Sequence, residues 1–326
     1  MRNFDKVFIT GAGSSYPYKF PLGVGLVDSI IKLTSITLDE AKRYSDSAYA
    51  LREIDPILNK YPLVYKMHKA GIRLQSIIEF NKALVGSSTD SIDKFLESSS
   101  RFHSIGKLAI AYCILESEKN SNLFNERDWL QYIWNRINRS KVEEFNVEDS
   151  IAFITFNYDR CIEYFFKKSL ENYYSIDQHE SYEYMQRIPV IHLHGSVGDI
   201  FNDNGESIDF GYTGLNHDGL KNVSNSIQII SERSVIEKNE SFMHAYNMMA
   251  SSEHIYFLGF GYDKVNLQRL RLSEPKIENE HISGTRFNLT DNETHSIQRV
   301  FSRLNLVNKK EMDCLDFIRE EIIWNN

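Results

Sequence analysis

The segment Val7-Phe8-Ile9-Thr10-Gly11-Ala12-Gly13-Ser14-Ser15 restricts the fold of this chain more than any other. A short apolar run that ends in a loop of small residues reads as a strand turning sharply into a helix. Small residues at that junction let the backbone approach a pyrophosphate, with the amides of the following helix facing the phosphate charge. They also suit an ordinary strand-to-helix turn. The spacing is not G-x-G-x-x-G, because Ser14-Ser15-Tyr16 follows the second glycine, so on this loop alone both readings stand.

The next strand signal is far away. Between Thr37 and Glu148 apolar residues recur at three and four, as in Phe102-Ile105-Leu108-Ala109-Tyr112-Leu115, which is helical spacing. Asp90-Ser91-Ile92-Asp93 and Asn125-Glu126-Arg127-Asp128 read as helix starts. Trp129, Ile133, Trp134 and Ile137 form an apolar stripe that we assign to the core. The run Ile151-Ala152-Phe153-Ile154-Thr155-Phe156 then suits a buried parallel strand. Further strands are expected at Ile188–His194, Ile227–Ile230, His254–Leu258 and Thr285–Leu289, a loop over Phe201–Gly219, and a closing helix near Asp313–Ile323. Strands alternating with helices predict an α/β fold, a Rossmann-like, mostly parallel sheet flanked by helices. We expect a single domain over 1–326, with its core at 1–36 and 150–326. A large all-helical insertion of about 37–149 would follow the first βα unit.

Composition excludes several function classes. A formal net charge of −8 over 326 residues argues against strong, nonspecific nucleic-acid binding. No apolar run reaches membrane-spanning length and the chain opens almost directly into a strand, so no membrane contact and a cytoplasmic location are expected. Cys113, Cys161 and Cys314 are scattered, which argues against a disulfide framework or a zinc ribbon. His192 and His194 share a strand face by alternation, but no third ligand stands out, so no metal is expected and His192 is assigned to packing. Glu163 is read as a solvent-facing or helix-pairing charge.

Ligands in an open parallel sheet sit at the carboxyl ends of the strands. Four expected strand ends carry glycine-rich or polar groups: Gly11-Ala12-Gly13-Ser14, Asn157-Tyr158-Asp159, His192-Leu193-His194-Gly195-Ser196 and Gly259-Phe260-Gly261-Tyr262. Taken singly, Asn157 and Asp159 could cap a helix, His194 could be a core histidine, and Gly259 with Gly261 could serve a turn. Their order along the chain resembles the SIR2-like (sirtuin-type NAD-binding) family, and specifically the bacterial SIR2-like NAD hydrolases of anti-phage defence. The segments that carry the resemblance are Gly11-Ala12-Gly13-Ser14-Ser15, Thr155-Phe156-Asn157-Tyr158-Asp159, Leu193-His194-Gly195-Ser196 and Leu258-Gly259-Phe260-Gly261-Tyr262-Asp263, with Pro21 after the first loop. It covers roughly Met1–Leu33 and Ile151–Leu272. No cysteine lies between Ser196 and Gly259, where protein-deacylating sirtuins carry four zinc ligands.

The resemblance implies an NAD+ glycohydrolase that releases nicotinamide and ADP-ribose. Asn157 would hold the nicotinamide ribose and position water, and His194 would act as the base. Asp159 would bind the carboxamide. Gly11, Ala12, Gly13 and Ser14 would bind the diphosphate, and Ser196, Gly259 and Gly261 would line the rest of the NAD+ site. It further implies an NAD-depleting defence effector. Control would come from homo-oligomerisation or a partner such as a HerA-type ATPase or an Argonaute-like protein, with the helical insertion as docking surface. Two other functions remain open: a non-catalytic NAD- or nucleotide-binding regulatory module, and an NAD-dependent deacylase or ADP-ribosyltransferase.

Overall fold

Strand β1 (Lys6–Thr10) is buried along its whole length and has a parallel partner on each side. That placement is what a continuous apolar run requires, since both faces must be covered. The computed structural model describes residues 3–46, 60–124, 128–147, 150–201, 209–211, 214–229, 239–272, 274, 277, 281–307 and 310–324. Among them, β1, β2 (Ile151–Thr155), β3 (Val190–His192), β4 (His254–Leu258), β5 (His281–Gly284) and β6 (Leu304–Leu306) form one sheet in the order β3-β2-β1-β4-β5-β6. All its ladders are parallel. This is an α/β Rossmann-like fold. In that order the chain first builds outward from β1 to β3 and then returns to build from β4 to β6. The crevice between β1 and β4 is therefore the switch point where such sheets bind ligands.

Two compact units divide the chain: Met1–Phe20 with Ser121–Phe210 and Glu232–Asn326, and Pro21–Asn120 with Gly211–Ser231. In the sheet unit, register pairs Phe8 with Phe153 and with Tyr256, and their rings pack at 5.4 and 5.7 Å. Phe166, fully buried on the helix Cys161–Tyr174, lies on Phe153 at 5.9 Å. Phe317 of the helix Cys314–Glu321 meets Tyr256 edge-on. Each such ring contributes about 1.5–3 kcal/mol through burial.

In the other unit every regular element among the described residues is a helix. The helix Gly23–Leu33 packs against Pro62–Lys69, Leu74–Ser87, Ile92–Ser98 and His103–Lys119. Asn81 donates to the Ile31 carbonyl and the Thr34 hydroxyl, satisfying groups at the end of the first of these helices. Phe80, Phe95 and Phe102 form an aromatic cluster inside the unit.

By contacts the compact helical unit begins at Pro21, and the described residues 121–124 and 128–147 group with the sheet. The reason lies in the helix Trp129–Ile137, capped by Asp128: Trp129 packs on Phe153 and Trp134 on Phe145 and Phe166. Asn125, Glu126 and Arg127 lie outside the described residues. Three expected strands need correction. The one expected at Thr285–Leu289 is β5, four residues earlier, and Leu289 closes a turn on the Arg286 carbonyl. Residues 227–229 form no strand; Ile227 closes a turn on Ser224 after the helix His217–Asn225, and Ile230 is outside the described residues. The third keeps only Val190–His192 of Ile188–His194, because Ile188 turns back onto Met185. Of the expected loop 201–219, residues 202–208 and 212–213 lie outside the described residues and its end is already helical. Among the described residues no helix is long and apolar enough to cross a membrane.

Candidate active site

Parallel strands bring the loops after β1, β2, β3 and β4 to one edge of the sheet. The first and last of these meet backbone to backbone. The Gly13 amide donates to the Gly259 carbonyl at 2.9 Å, and the Gly11 amide to the Leu258 carbonyl at 3.1 Å. A Cβ on Gly13 would lie 2.8 Å from the Gly259 oxygen, and one on Gly259 would lie 2.1 Å from the Ser14 nitrogen. Gly259 also adopts φ +56°, in the left-handed region that favours glycine. These glycines therefore let two loops touch across the switch point. Gly261 differs: it is exposed and a Cβ there would meet nothing within 4 Å.

This contact changes the reading of the phosphate loop. The Ser14 amide and hydroxyl both donate to the Gly11 carbonyl, and the Gly11 and Gly13 amides are taken as described. Of the expected diphosphate donors, the Ala12 amide, at the first position of the one-turn helix Ala12–Ser15, is the one that opens that helix. The Ser14 carbonyl accepts from the Trp129 indole at 2.8 Å, so a residue assigned to the core stripe also pins the loop.

Asn157 follows β2 and is buried. Its amide nitrogen donates to the Gly11 carbonyl at 3.1 Å and the Ser15 hydroxyl at 2.9 Å, and its backbone N–H donates to Thr155 Oγ1 at 3.0 Å. Asp159, two residues on, is also buried. It accepts from the Cys161 amide at 3.2 Å, where the helix Cys161–Tyr174 begins, and from the Ser15 hydroxyl. Burial pushes its carboxyl above the ordinary range, and the Ser15 and Cys161 contacts and His192 pull against that rise.

His194 is buried in the turn after β3. Its ring packs edge-on against Phe156 at 5.5 Å and lies 6.3 Å from Tyr158, the two aromatic neighbours of Asn157. Phe156 also meets Phe260 at 5.0 Å, which joins the β2, β3 and β4 ends in one aromatic cluster. Ser196 donates to the Gly198 carbonyl, and the Val197 amide to Tyr158, which docks the β3 turn on the β2 turn. Four strand ends named from the sequence therefore converge in one place. Gly261 and Ser196 sit at its margin, and their side-chain space or bonds point to no other member.

Two residues were misread from the sequence. Glu163 is not a solvent charge: its Oε1 lies 2.6 Å from His192 Nε2. Nor is His192 merely packed, since its Nδ1 donates to the Asn157 carbonyl at 2.8 Å. The alternation that placed His192 and His194 on one face fails because β3 ends at His192. Among the described residues no group of three or more His, Cys, Asp or Glu side chains could hold a metal ion.

Residues 151–295 match the family model of the SIR2-like domain. The match runs from β2 into the helix Asp291–Val300 and includes the β2, β3 and β4 ends, while the Gly11 loop joins them by geometry alone. No curated protein matches the chain.

Proposed function

We propose that this chain, which carries a SIR2-like domain over residues 151–295 and with it an NAD-related function, is an NAD+ glycohydrolase. The observation that carries the reading is the convergence of Asn157 and the His194 turn on the glycine contact at the switch point. Cleaving the bond from ribose to nicotinamide passes through an oxocarbenium-like transition state, as in glycoside hydrolysis. Nicotinamide leaves as a neutral molecule and needs no general acid. The site must instead hold the ribose, aim a water and support the spreading positive charge.

The geometry suits those tasks. Asn157 commits its amide nitrogen to Gly11 and Ser15, which turns Oδ1 into the atom offered to a ribose hydroxyl or the attacking water. His194, whose ring packs edge-on against Phe156 beside Asn157, takes the proton from that hydroxyl or water. Asp159 takes the carboxamide, its carboxylate accepting from the carboxamide nitrogen. The Ala12 amide faces the diphosphate, and Gly259 with Gly261 borders the adenosine side. Phe156 and Phe260, edge to face at 5.0 Å, supply an apolar wall beside Asn157.

As a cellular role we propose depletion of NAD+ in anti-phage defence, held silent until oligomerisation or a partner, such as a HerA-type ATPase or an Argonaute-like protein, releases it. The helical unit is the proposed docking surface. Product analysis tests the reaction class. Hydrolysis yields nicotinamide and free ADP-ribose in equal amounts with no acceptor. ADP-ribose appearing only on protein, or only with an acylated peptide present, would replace this reading by transfer or deacylation.

A further inference from the structure

His192 and Glu163 form a buried-edge pair that the chemistry proposed above does not use. Their side chains are only 11% and 20% exposed, and they join the end of β3 to the helix Cys161–Tyr174. The ring of His192 bridges two acceptors. Nδ1 faces the Asn157 carbonyl at 2.8 Å and Nε2 faces a Glu163 carboxylate oxygen at 2.6 Å. A carbonyl can only accept, so Nδ1 carries a proton, and the short Nε2 contact holds a second.

The Asn157 backbone is thereby held on both sides of its Cα: its N–H donates to Thr155 Oγ1 and its C=O accepts from His192. These two peptide groups set the direction of the Asn157 side chain, whose nitrogen reaches Gly11 and Ser15. We infer that His192, charged and oriented by Glu163, is a positioning residue that fixes Asn157 for the reaction and releases it when the imidazolium loses its proton. The inference rests on the NAD+-cleaving reading only for its effect on rate.

The electrostatics agree in sign. Glu163 on the helix and Asp159 in the turn are the charged groups facing His192. Both favour the cation, burial opposes it, and the balance raises its pKa above the ordinary value. When one proton leaves, a single N–H must serve two oxygens. The charge-assisted bond to the carboxylate is about twice as strong as one to a neutral carbonyl, so Glu163 keeps it. Nδ1 then presents a lone pair to the Asn157 oxygen, and that contact turns repulsive.

The test uses the full chain labelled with ¹⁵N-asparagine and ¹³C-histidine, followed by NMR from pH 5.5 to 9. The Asn157 side-chain signal is assigned by its loss in Asn157→Gln, and the His192 ring by its loss in His192→Asn. The Asn157 amide should titrate with the His192 midpoint, above about 6.5. Glu163→Gln, which keeps an acceptor but removes the charge, should lower that midpoint by on the order of 1 pH unit or more. His192→Asn, which keeps a donor near the Nδ1 position, should make the Asn157 signal independent of pH. The alkaline limb of kcat for NAD+ cleavage should move with the same midpoint. An Asn157 signal that ignores the His192 titration, or a midpoint unchanged in Glu163→Gln, would overturn the inference. Cleavage of NAD+ by Asn157→Ala at the parent's rate would overturn the catalytic reading instead, and the NMR titration would still decide the positioning.

Discussion

Replacing Gly259 by alanine should destabilise the sheet unit severely, while the same change at Gly261 should leave it nearly untouched. At Gly259 the new Cβ falls 2.1 Å from the Ser14 nitrogen and 2.3 Å from the Gly13 carbonyl carbon, both backbone atoms that cannot rotate away. The residue must also hold φ +56°, which costs an L side chain about 1–2 kcal/mol. Relieving the overlap parts the two loops, with overpacking worth about 1–3 kcal/mol. The Gly13–Gly259 hydrogen bond, worth about 1 kcal/mol net, is lost with it. Several kcal/mol is a large share of the roughly 5–15 kcal/mol that holds a domain together. Calorimetry should therefore show Gly259→Ala melting on the order of 10 °C below the parent. Gly261→Ala has open space around its Cβ and should melt within about 1 °C of it. Equal melting of Gly259→Ala and the parent, or an equal loss at both positions, would refute the loop-contact argument. The same geometry makes Gly13→Val a poor probe of phosphate binding, because its side chain would strike Gly259 whether or not ligand is present.

Trp129→Phe should keep the aromatic packing on Phe153 but strip the donor from the Ser14 carbonyl. Leaving that buried acceptor unpaired should lower the urea midpoint by an amount equivalent to about 1–3 kcal/mol; an unchanged midpoint would mean the indole bond does not anchor the loop. Stability should also depend on pH through His192. Its folded pKa is raised, so its contribution is fully present below the unfolded value of about 6.5 and is lost as pH rises through the folded one. Urea midpoints between pH 6 and 9 should fall in the parent more than in Glu163→Gln, and parallel curves would contradict the ion pair's role.

Some of this was legible in the sequence for definite reasons. Strand β4 was read to the residue, and β1 was found from its apolar run Val7-Phe8-Ile9, because central parallel strands must be apolar on both faces. β5, His281-Ile282-Ser283-Gly284, carries only one large apolar residue, and β6 is three residues long, so neither gave a run to detect. Convergence of the four strand ends was readable because parallel strands carry their following loops to one edge. The partners that fix those ends were not. Trp129 and Ser14 lie 115 residues apart, and His192 and Glu163 lie 29 apart. Neither pairing leaves a local pattern. The glycines carry a second role that the sequence could not separate from the first: small residues at a switch point serve a ligand's backbone approach and a neighbouring loop's equally well. At Gly13 and Gly259 the two loops lie in direct backbone contact.

The central claim is that Asn157 and His194 work on NAD+ at the switch point. Its most direct test is NAD+ consumption and nicotinamide release by the purified chain over a range of protein concentrations. The parent should be run beside Asn157→Ala and His194→Ala variants whose melting shows them folded. We predict that the parent cleaves NAD+ and that each variant loses at least about 100-fold in rate, the scale of a removed general base. Cleavage by both variants at the parent's rate would contradict the site, whatever enzyme the chain proved to be.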